Sequence, residues 1–291
     1  MKVLVVGASG AVGEAVAHAL RAQGCAVRAT MRRREQNAAA RLEAAGAEVA
    51  ALDLDSPDRL AALAGDCDAA VFATHLELAA RALAAARPRV RVLAFSSNNV
   101  AIDAGAATYR ALADAEAAAR LHYPGAAIVR PTLIYGDLRL PTLPRLMRLA
   151  RRFPVLPVPG SGRARVQPVF HGDLGRLAAG LVMDGRAGVF AAGGPDIVTF
   201  RALYAAAARA AGAHNFVIGT PKAALRIARG LAGARFPLSA EQIERADSDR
   251  LAVPVDPIPP GLVPSTRLAD GLAVLGEALR GSSARGVARG L

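Results

Sequence analysis

The sequence predicts an α/β fold in which a doubly wound parallel sheet is followed by a smaller lobe of mixed structure. Two observations carry this prediction. Short apolar runs alternate with helical segments of about ten residues through the first half of the 291-residue chain. Beyond Gly136 the alternation stops, and Pro and Arg become frequent. Since parallel strands are buried on both faces, each of them reads as a continuous apolar run.

The predicted elements follow one another in βαβ order, and right-handed crossovers wind such units into one sheet. Apolar runs predict strands at residues 2–8, 25–32, 47–54, 67–74, 90–97 and 126–136. Helical patterns predict helices at residues 13–23, 35–45, 56–64, 76–86 and 108–121. Ser56, which is followed by Pro57 and Asp58, has the residue pattern of a helix N-cap.

The second half is predicted to be smaller and less regular. Residues 1–136 form the predicted sheet domain and residues 137–279 the smaller lobe, with a strand and a helix near 165–195 as candidates to return to the sheet. A helix capped by Ser239 is expected in this lobe. Residues 280–291 are of low complexity, and we expect them to form a flexible tail.

The composition is that of a protein without a membrane span. Hydrophobic residues make up 53% of the chain, but no apolar run reaches the roughly 18 residues that cross a bilayer. The chain enters a strand directly, without the basic and apolar regions of a signal peptide, so a cytoplasmic protein is expected. Cys25 and Cys67 lack C-x-x-C spacing and are expected to be buried free thiols.

The formal net charge of +12 raises the question of an anionic partner. The basic residues, almost all Arg, are spread along the chain, and there is no Trp to stack on bases. A nucleic-acid partner is therefore not expected, whereas a small-molecule substrate is. Residues 224–236 interleave Arg with apolar residues, which leaves weak association with a membrane surface open. The oligomeric state stays open between monomer and homodimer.

Three glycines follow the first strand at the spacing Gly7-x-x-Gly10-x-x-Gly13. The first glycine permits a tight turn, the second permits approach of a pyrophosphate, and the third permits close packing of helix on strand. Backbone N–H groups at the helix start then face the phosphates. The spacing therefore predicts a Rossmann-like dinucleotide site. The predicted phosphate loop consists of Gly7, Ser9, Gly10, Ala11, Val12 and Gly13.

The residues after the second strand indicate which dinucleotide binds. Folds that take NAD place an acidic residue there for the ribose 2′-hydroxyl. This chain has Arg32 and Arg33 instead, and its first acid in this region is Glu35. Because guanidinium groups make fork-like hydrogen bonds to phosphate, the pair predicts NADP rather than NAD.

Several stretches together resemble the extended and atypical short-chain dehydrogenase/reductases, particularly their NAD(P)-dependent epimerase/dehydratase-like branch. This branch includes the dehydrogenase-like accessory subunit of respiratory complex I. The resemblance covers nearly the whole chain. It rests on GASGAVG (7–13), VRATMRR (27–33), AGAEVAALDLDSPDRLAAL (45–63), FSSNN (95–99), IVRPTLIYG (128–136) and RRFPVLPVPGSGRARVQPVFHGDLGRLA (151–178).

The resemblance implies further cofactor contacts. It puts Asp53 and Leu54 beside the adenine, although a turn residue is an equal interpretation of Asp53. It puts other residues along the path to the nicotinamide or near its carboxamide. These residues are Ala73, Thr74, His75, Ser96, Pro131, Thr132 and Leu133.

Active members of these families use a hydroxyl residue, a Tyr, and a Lys four residues after the Tyr, so that one helical turn puts Tyr and Lys on one face. Ser97 stands at the hydroxyl position and Tyr109 near the tyrosine position. Ala113 stands four residues after Tyr109, so the lysine is absent. Counting back from Arg130 moves the register by one residue, to Thr108 for the tyrosine position.

Two functions follow from these expectations. As an enzyme, an oxidoreductase or an epimerase/dehydratase, the protein would move hydride between nicotinamide and a carbonyl or alcohol carbon of a small metabolite or nucleotide sugar. Ser97 would polarise the oxygen and Tyr109 would handle its proton. Alternatively, the protein is a non-catalytic NADP-binding sensor or assembly protein, which fits the missing lysine. His75 is the histidine expected to face the cofactor, Asp173 is expected to be a helix N-cap, and no residues have metal-ligand spacing.

Overall fold

The structure, a computed structural model, describes residues 1–233 and 240–288. Its strands are β1 (Lys2–Val6), β2 (Ala26–Met31), β3 (Glu48–Ala51), β4 (Ala69–Phe72), β5 (Arg91–Phe95), β6 (Ala127–Pro131), β7 (Ile134–Tyr135), β8 (Val155–Pro159), β9 (Arg165–Val166), β10 (Val169–Phe170), β11 (Gly188–Ala192), β12 (Val198–Thr199) and β13 (Phe216–Thr220).

The helices alternate with these strands. They are α1 (Ala11–Ala22), α2 (Gln36–Ala44), α3 (Pro57–Ala64), α4 (Leu76–Ala86), α5 (Asn99–Ile102), α6 (Ala107–His122), α7 (Thr142–Ala150), α8 (His171–Met183), α9 (Phe200–Ala210), α10 (Lys222–Ala232), α11 (Ala240–Glu244) and α12 (Leu268–Ala288). A short 3-10 helix spans Pro260–Leu262.

The chain divides into two compact units. The first comprises Met1–Thr132, His171–Gly193 and Ala252–Ser265. The second comprises Leu133–Phe170, Gly194–Leu251 and Thr266–Leu291. The first unit thus ends its opening segment at Thr132 rather than at Gly136, and it takes in two later segments of the chain.

A parallel sheet forms the centre of the first unit. Within the described residues it has seven strands in the order β11-β6-β5-β4-β1-β2-β3. The order reverses direction between β4 and β1, which is where open α/β sheets bind ligands, at the carboxyl ends of the strands. Val6 lies beside Thr30 on one side and Phe72 on the other. The predicted α/β fold with a doubly wound parallel sheet is confirmed.

Both faces of this sheet are buried, which explains the continuous apolar runs. Leu4 and Val6 of β1 join a core cluster with α3, α4 and α6. Val3 and Val5 point to the opposite face and are also fully buried. Helices α1 and α8 pack against each other so closely that a side chain on Gly175 would meet the backbone of Ala15 at 2.6 Å.

The second unit is built from helices and short strand pairs. Among its described residues, β8 pairs with β13, β7 with β10, and β9 with β12. Helix α9 packs against α7 and α12. The Tyr135 ring lies edge-on to Phe170, with ring centroids 5.7 Å apart. The core of the second unit consists mainly of Tyr135, Leu143, Met147, Leu156, Val166, Leu203, Ala207, Leu272 and Leu275.

Several local predictions differ from the structure. Helix α8 begins at His171, so Asp173 lies in its first turn rather than at the N-cap. Asp173 is buried and accepts hydrogen bonds from Arg176 and from the Ser265 amide, the latter at 2.9 Å. Ser56 stands at the predicted N-cap, but its side chain makes no capping hydrogen bond.

The predicted C-terminal tail is helical over most of its length. Helix α12 continues through Ala288, and residues 289–291 lie outside the described residues, as does Ser239. Cys25 and Cys67 are buried and free, as expected, but they precede β2 and β4 rather than lying inside them.

The described residues lack two kinds of feature. No helix in that part of the chain combines the length and the apolarity that crossing a membrane requires. In the same residues, no group of three or more His, Cys, Asp or Glu side chains is arranged to hold a metal ion.

Candidate functional site

The glycine-rich loop forms a tight turn between β1 and α1. Gly7 has a φ of +81°, which glycine adopts without strain, and a side chain there would meet the carbonyl oxygen of Ala73 at 2.6 Å. The amides of Gly7 and Ala8 both donate to the Thr30 carbonyl oxygen, at 3.1 and 2.9 Å. These bonds fix the loop to the end of β2.

The three glycines are required for different reasons. A side chain on Gly13 would collide with the backbone of Gly7, whose carbonyl carbon would lie at 2.8 Å, so the start of α1 needs a glycine there. A side chain on Gly10 would meet only the Gly7 carbonyl oxygen, at 3.4 Å. Protein packing therefore tolerates a larger residue at position 10, although the loop has none.

A pocket of about 400 Å³ opens beside this loop. It lies at the carboxyl ends of β1, β2 and β4 and at the end of the segment that follows β3. Its walls are Val6, Gly7, Ser9, Thr30, Met31, Arg32, Arg33, Glu35, Leu52, Asp53, Leu54, Asp55, Thr74, His75 and Leu78. Four chain segments that are distant in sequence thus meet at one edge of the sheet.

The two arginines of this pocket wall form no ion pair with any described residue. Arg32 and Arg33 are exposed, and neither forms an ion pair within the described part of the chain. Their neighbour Arg34 is different, because its guanidinium lies 2.5 Å from the Glu43 carboxylate. Arg32 and Arg33 therefore present guanidinium groups without an ion pair to a pocket wall that also holds the carboxylates of Glu35, Asp53 and Asp55.

The acidic and imidazole groups of the pocket are exposed. Asp53 closes a local turn, in which one carboxylate oxygen accepts from the Asp55 amide at 3.1 Å. Both interpretations of Asp53 therefore have support, since the same side chain forms a turn and lines the pocket. His75 stands at the N-cap position of α4 without a capping side-chain bond.

Ser96 belongs to a buried polar network. Its hydroxyl donates to Glu116 at 2.5 Å, and Glu116 is bound by the Arg130 guanidinium through contacts of 2.5 to 3.1 Å. The side chains of Glu116 and Arg130 are only 6% and 16% exposed. Because a buried charge without a partner is costly, this pair holds β6 against α6.

Ser97 and Tyr109 both contact Asn99, a residue for which the sequence analysis proposed no role. The Asn99 amide donates to the Ser97 hydroxyl oxygen at 3.2 Å, and its side-chain amide donates to the Tyr109 hydroxyl at 2.9 Å. Asn99 lies within the FSSNN stretch (95–99). The position of an amide side chain so close to two serines is the sequence feature that could have indicated its role. The structure thus brings the two expected catalytic residues to one asparagine.

The position of the missing lysine is also defined. Ala113 lies one turn after Tyr109 on α6 and is half-buried. Glu116 follows on the same helix face, seven residues after Tyr109. Arg130 supplies a cation near this face, but its guanidinium is bound to Glu116.

The remaining expected cofactor residues lie outside the pocket wall. The Ala73 backbone supports Gly7. Pro131 ends β6, and its carbonyl oxygen accepts from the Asn98 amide at 3.0 Å. Thr132 donates its amide to Ala192 at 3.0 Å, and Leu133 belongs to the second unit. Two residues of the predicted phosphate loop, Gly7 and Ser9, line this pocket. The other predicted residues of the first unit that do not line it are Gly10, Ala11, Val12, Gly13, Ser96, Ser97 and Tyr109.

Comparisons with known proteins relate the first part of the chain to a family and the whole chain to a fold. Residues 1–119 match the model of the NmrA-like family. No curated protein sequence matches the chain. The match of the family model covers the segment that carries the glycine loop, the basic pair and Tyr109.

Solved structures match over nearly the whole chain. A nucleoside-diphosphate-sugar epimerase from Pseudomonas aeruginosa has 18% identity and a TM-score of 0.72, covering 97% of this chain and 98% of its own. The Citrobacter sp. triphenylmethane reductase complexed with NADP(H) has 18% identity and a TM-score of 0.71, with coverages of 94% and 99%.

A UDP-glucose-4-epimerase from Stenotrophomonas maltophila, solved with bound NAD, has 15% identity and a TM-score of 0.72, with coverages of 98% and 99%. At these identities the likeness shows a shared fold. The expected resemblance to NAD(P)-dependent epimerase/dehydratase-like proteins is confirmed, and the fold is one that reductases and epimerases share.

Proposed function

We propose that this chain binds NADP in the pocket beside the glycine-rich loop and uses it as an oxidoreductase on a carbonyl or alcohol of a small molecule. The observation that carries the proposal is the pairing of that loop with Arg32 and Arg33 in one pocket wall. The loop supplies backbone amides at a helix start, and the arginines supply charge without carboxylate partners.

The residues present fit a dinucleotide. The space beside Gly10 is not filled by other protein atoms. In loops of this kind, a pyrophosphate approaches the backbone at this glycine. Arg32 and Arg33 suit a ribose 2′-phosphate, because guanidinium forks bind phosphate oxygens in pairs. The NADP(H) complex of the similar Citrobacter reductase agrees with this choice, whereas the NAD complex of the similar epimerase does not.

The residues of the first unit suggest how substrate would be handled. Bound NADP would supply or accept the hydride. The Ser97 hydroxyl would donate to the substrate oxygen, and Tyr109 would give or take that oxygen's proton. Asn99 would hold both side chains in place, since it contacts each of them.

The cofactor proposal is tested by the double substitution Arg32→Ala/Arg33→Ala. We expect at least about tenfold weaker binding of NADPH, with NADH binding nearly unchanged, because the lost hydrogen bonds are those to the 2′-phosphate. Fluorescence titration of both nucleotides measures this. Arg34→Ala is the matched control, since Arg34 is already paired with Glu43 and lies outside the pocket wall. Equal loss of NADPH and NADH binding would contradict the assignment.

A second candidate, a non-catalytic NADP-binding sensor or assembly protein, is favoured by Ala113 at the lysine position. NADPH oxidation over a panel of aldehydes, ketones and quinones separates the two functions. The enzyme proposal expects turnover that falls by about 100-fold in Tyr109→Phe, while NADPH affinity stays within about twofold. NADPH binding without turnover on any carbonyl favours the sensor.

A further inference from the structure

A second pocket of the first unit lies at the opposite edge of the sheet from the glycine-rich loop. Its volume is about 790 Å³, and it lies where β5 begins at Arg91 and where residues 121–125 lead from α6 to β6. Because the strands are parallel, their amino ends are at one edge and the glycine loop is at the other. The proposed NADP site and this pocket therefore share no wall residues.

Arginines surround this second pocket. Arg87, Arg89 and Arg91 line it together with His122, and the carboxylate among its wall residues is Asp68. Asp68 is engaged by the backbone amide of Lys2, at 2.7 Å. Positive charge thus exceeds negative charge around the pocket.

The three arginines contact neutral groups only, as far as the described residues show. Arg87 donates to the Ala84 carbonyl at 3.2 Å, and Arg91 donates to the Val182 carbonyl and the Met1 sulfur at 3.2 and 3.3 Å. Arg89 makes no hydrogen bond or ion pair within that part of the chain, and its side chain is exposed. Elsewhere in the same unit, Arg28, Arg41 and Arg130 each bind a carboxylate.

The backbone at Arg87 ends helix α4 beside this pocket. Arg87 has a φ of +43° and a ψ of +49°, the left-handed conformation that usually belongs to glycine at the end of a helix. Within the described residues, Arg87 is the single residue other than glycine that has a positive φ. This conformation terminates α4 and places the Arg87 guanidinium in the pocket wall.

The other wall residues supply an apolar surface. Tyr123 donates its hydroxyl to the Leu83 carbonyl at 3.4 Å. Burial raises the pKa of this phenol, while the nearby Arg87 charge acts in the opposite direction, so Tyr123 is neutral at pH 7. Pro88, Leu121 and Pro124 complete this side of the pocket. The combination suits a ligand with phosphate groups attached to a less polar body.

We propose that this arginine pocket is a binding site for a small phosphate-bearing ligand, separate from the NADP site. Phosphate oxygens would accept from Arg87, Arg89 and Arg91, which are the groups that lack anionic partners. The volume is sufficient for a phosphorylated metabolite of nucleotide size. The inference does not depend on whether the chain binds NADP.

The test uses the full-length chain and inorganic tripolyphosphate as the probe, with binding followed by isothermal titration calorimetry. It is carried out in the Arg32→Ala/Arg33→Ala background, so that the pocket beside the glycine-rich loop does not contribute. We expect Arg89→Ala to weaken binding by about fivefold and Arg89→Ala/Arg91→Ala by tenfold or more. The matched control is Arg59→Ala, an exposed arginine of α3 outside this wall, which leaves binding within about twofold.

Two results would overturn the proposal. One is the absence of tripolyphosphate binding at millimolar concentration in the Arg32→Ala/Arg33→Ala protein. The other is equal weakening by Arg59→Ala and Arg89→Ala, which indicates a diffuse surface charge effect. Arg89→Ala removes an exposed side chain without hydrogen bonds among the described residues, so this variant remains informative even if the double variant at 89 and 91 folds poorly.

Discussion

At the scale of single residues, Gly10 and Gly13 show how one loop serves both folding and binding. A side chain at Gly13 meets the backbone of Gly7, whereas a side chain at Gly10 meets little of the protein. The two positions therefore separate the requirement of the fold from the requirement of the proposed cofactor.

We predict that Gly13→Ala mainly lowers stability, whereas Gly10→Ala mainly weakens NADPH binding. Gly13→Ala forces α1 away from β1 and lowers the stability of the first unit by about 3 kcal/mol. Gly10→Ala costs about 1 kcal/mol or less, but weakens NADPH binding by about tenfold or more, since the methyl group occupies the pyrophosphate path. Thermal unfolding and NADPH titration of both variants measure the two effects. Retention of full NADPH affinity in Gly10→Ala would contradict the proposed pyrophosphate position.

Asn99 shows the limit of a residue pattern at this scale. The families that the sequence resembles place a lysine one turn after their tyrosine, and that expectation directs attention to Ala113. The structure instead shows the Asn99 side chain donating to the Tyr109 hydroxyl. An amide is neutral, so it orients a phenol without supplying the charge that a lysine would add.

At the scale of elements, helix α12 depends on a carboxylate at its start. Asp196 accepts from the Leu268 amide at 2.7 Å and from the Arg267 guanidinium at 2.5 Å. The backbone hydrogen bond from Leu268, with a further contribution from Arg267, lowers the pKa of Asp196. Asp196 therefore satisfies an amide that the helix itself leaves unpaired, and it places negative charge at the positive end of the helix dipole.

This contact predicts a pH dependence of stability. Since the pKa of Asp196 is lowered in the folded state, its contribution is full above the unfolded pKa, near 4, and is lost as the pH falls through the lower folded value. Asp196→Asn is expected to cost about 1–2 kcal/mol at pH 7 and clearly less at pH 2.5.

Urea unfolding of the wild type and of Asp196→Asn at both pH values measures the difference. Asp270→Asn is the control, because Asp270 lies exposed in the first turn of the same helix. A constant difference between wild type and Asp196→Asn from pH 7 to pH 2.5 would refute the capping role.

Helix α6 shows how an element can keep a family's geometry with changed chemistry. Tyr109, Ala113 and Glu116 share one face, because their spacings of four and seven residues are close to whole helical turns. The carboxylate on this face is Glu116, which forms an ion pair with Arg130 of β6. The helix therefore carries this ion pair two turns after its tyrosine.

At the scale of the whole molecule, the sequence predicted those features that depend on local order. The sheet, the glycine loop and the exposed basic pair follow from patterns that span a few tens of residues, and the predicted fold class is confirmed. Ser96 bonds to Glu116, 20 positions away, and Glu116 bonds to Arg130, 14 positions away. These polar groups pair because they are buried together, and no spacing in the sequence indicates the pairing.

Which chain segments belong to each unit was harder to predict, because contacts between residues distant in sequence decide it. Asp173 accepts from the Ser265 amide, and Asp256 accepts from the Val189 amide at 2.6 Å. These contacts attach a segment near the end of the chain to a unit that begins at Met1. Proline-rich residues such as 252–265 carry no periodic pattern that would indicate the strand or helix beside them.

The discontinuity of the first unit has a consequence for its synthesis on the ribosome. Residues 1–132 emerge first, before α8, which covers α1 in the folded unit. The last segment of the unit ends at Ser265. At typical elongation rates of 5–20 residues per second, the intervening 133 residues (265 − 132) take roughly 7 to 27 s to appear. Helix α8 ends at Met183, 51 residues after Thr132 (183 − 132), so the apolar surface of α1 is exposed in the nascent chain for the first part of that interval, where a chaperone would find its binding site.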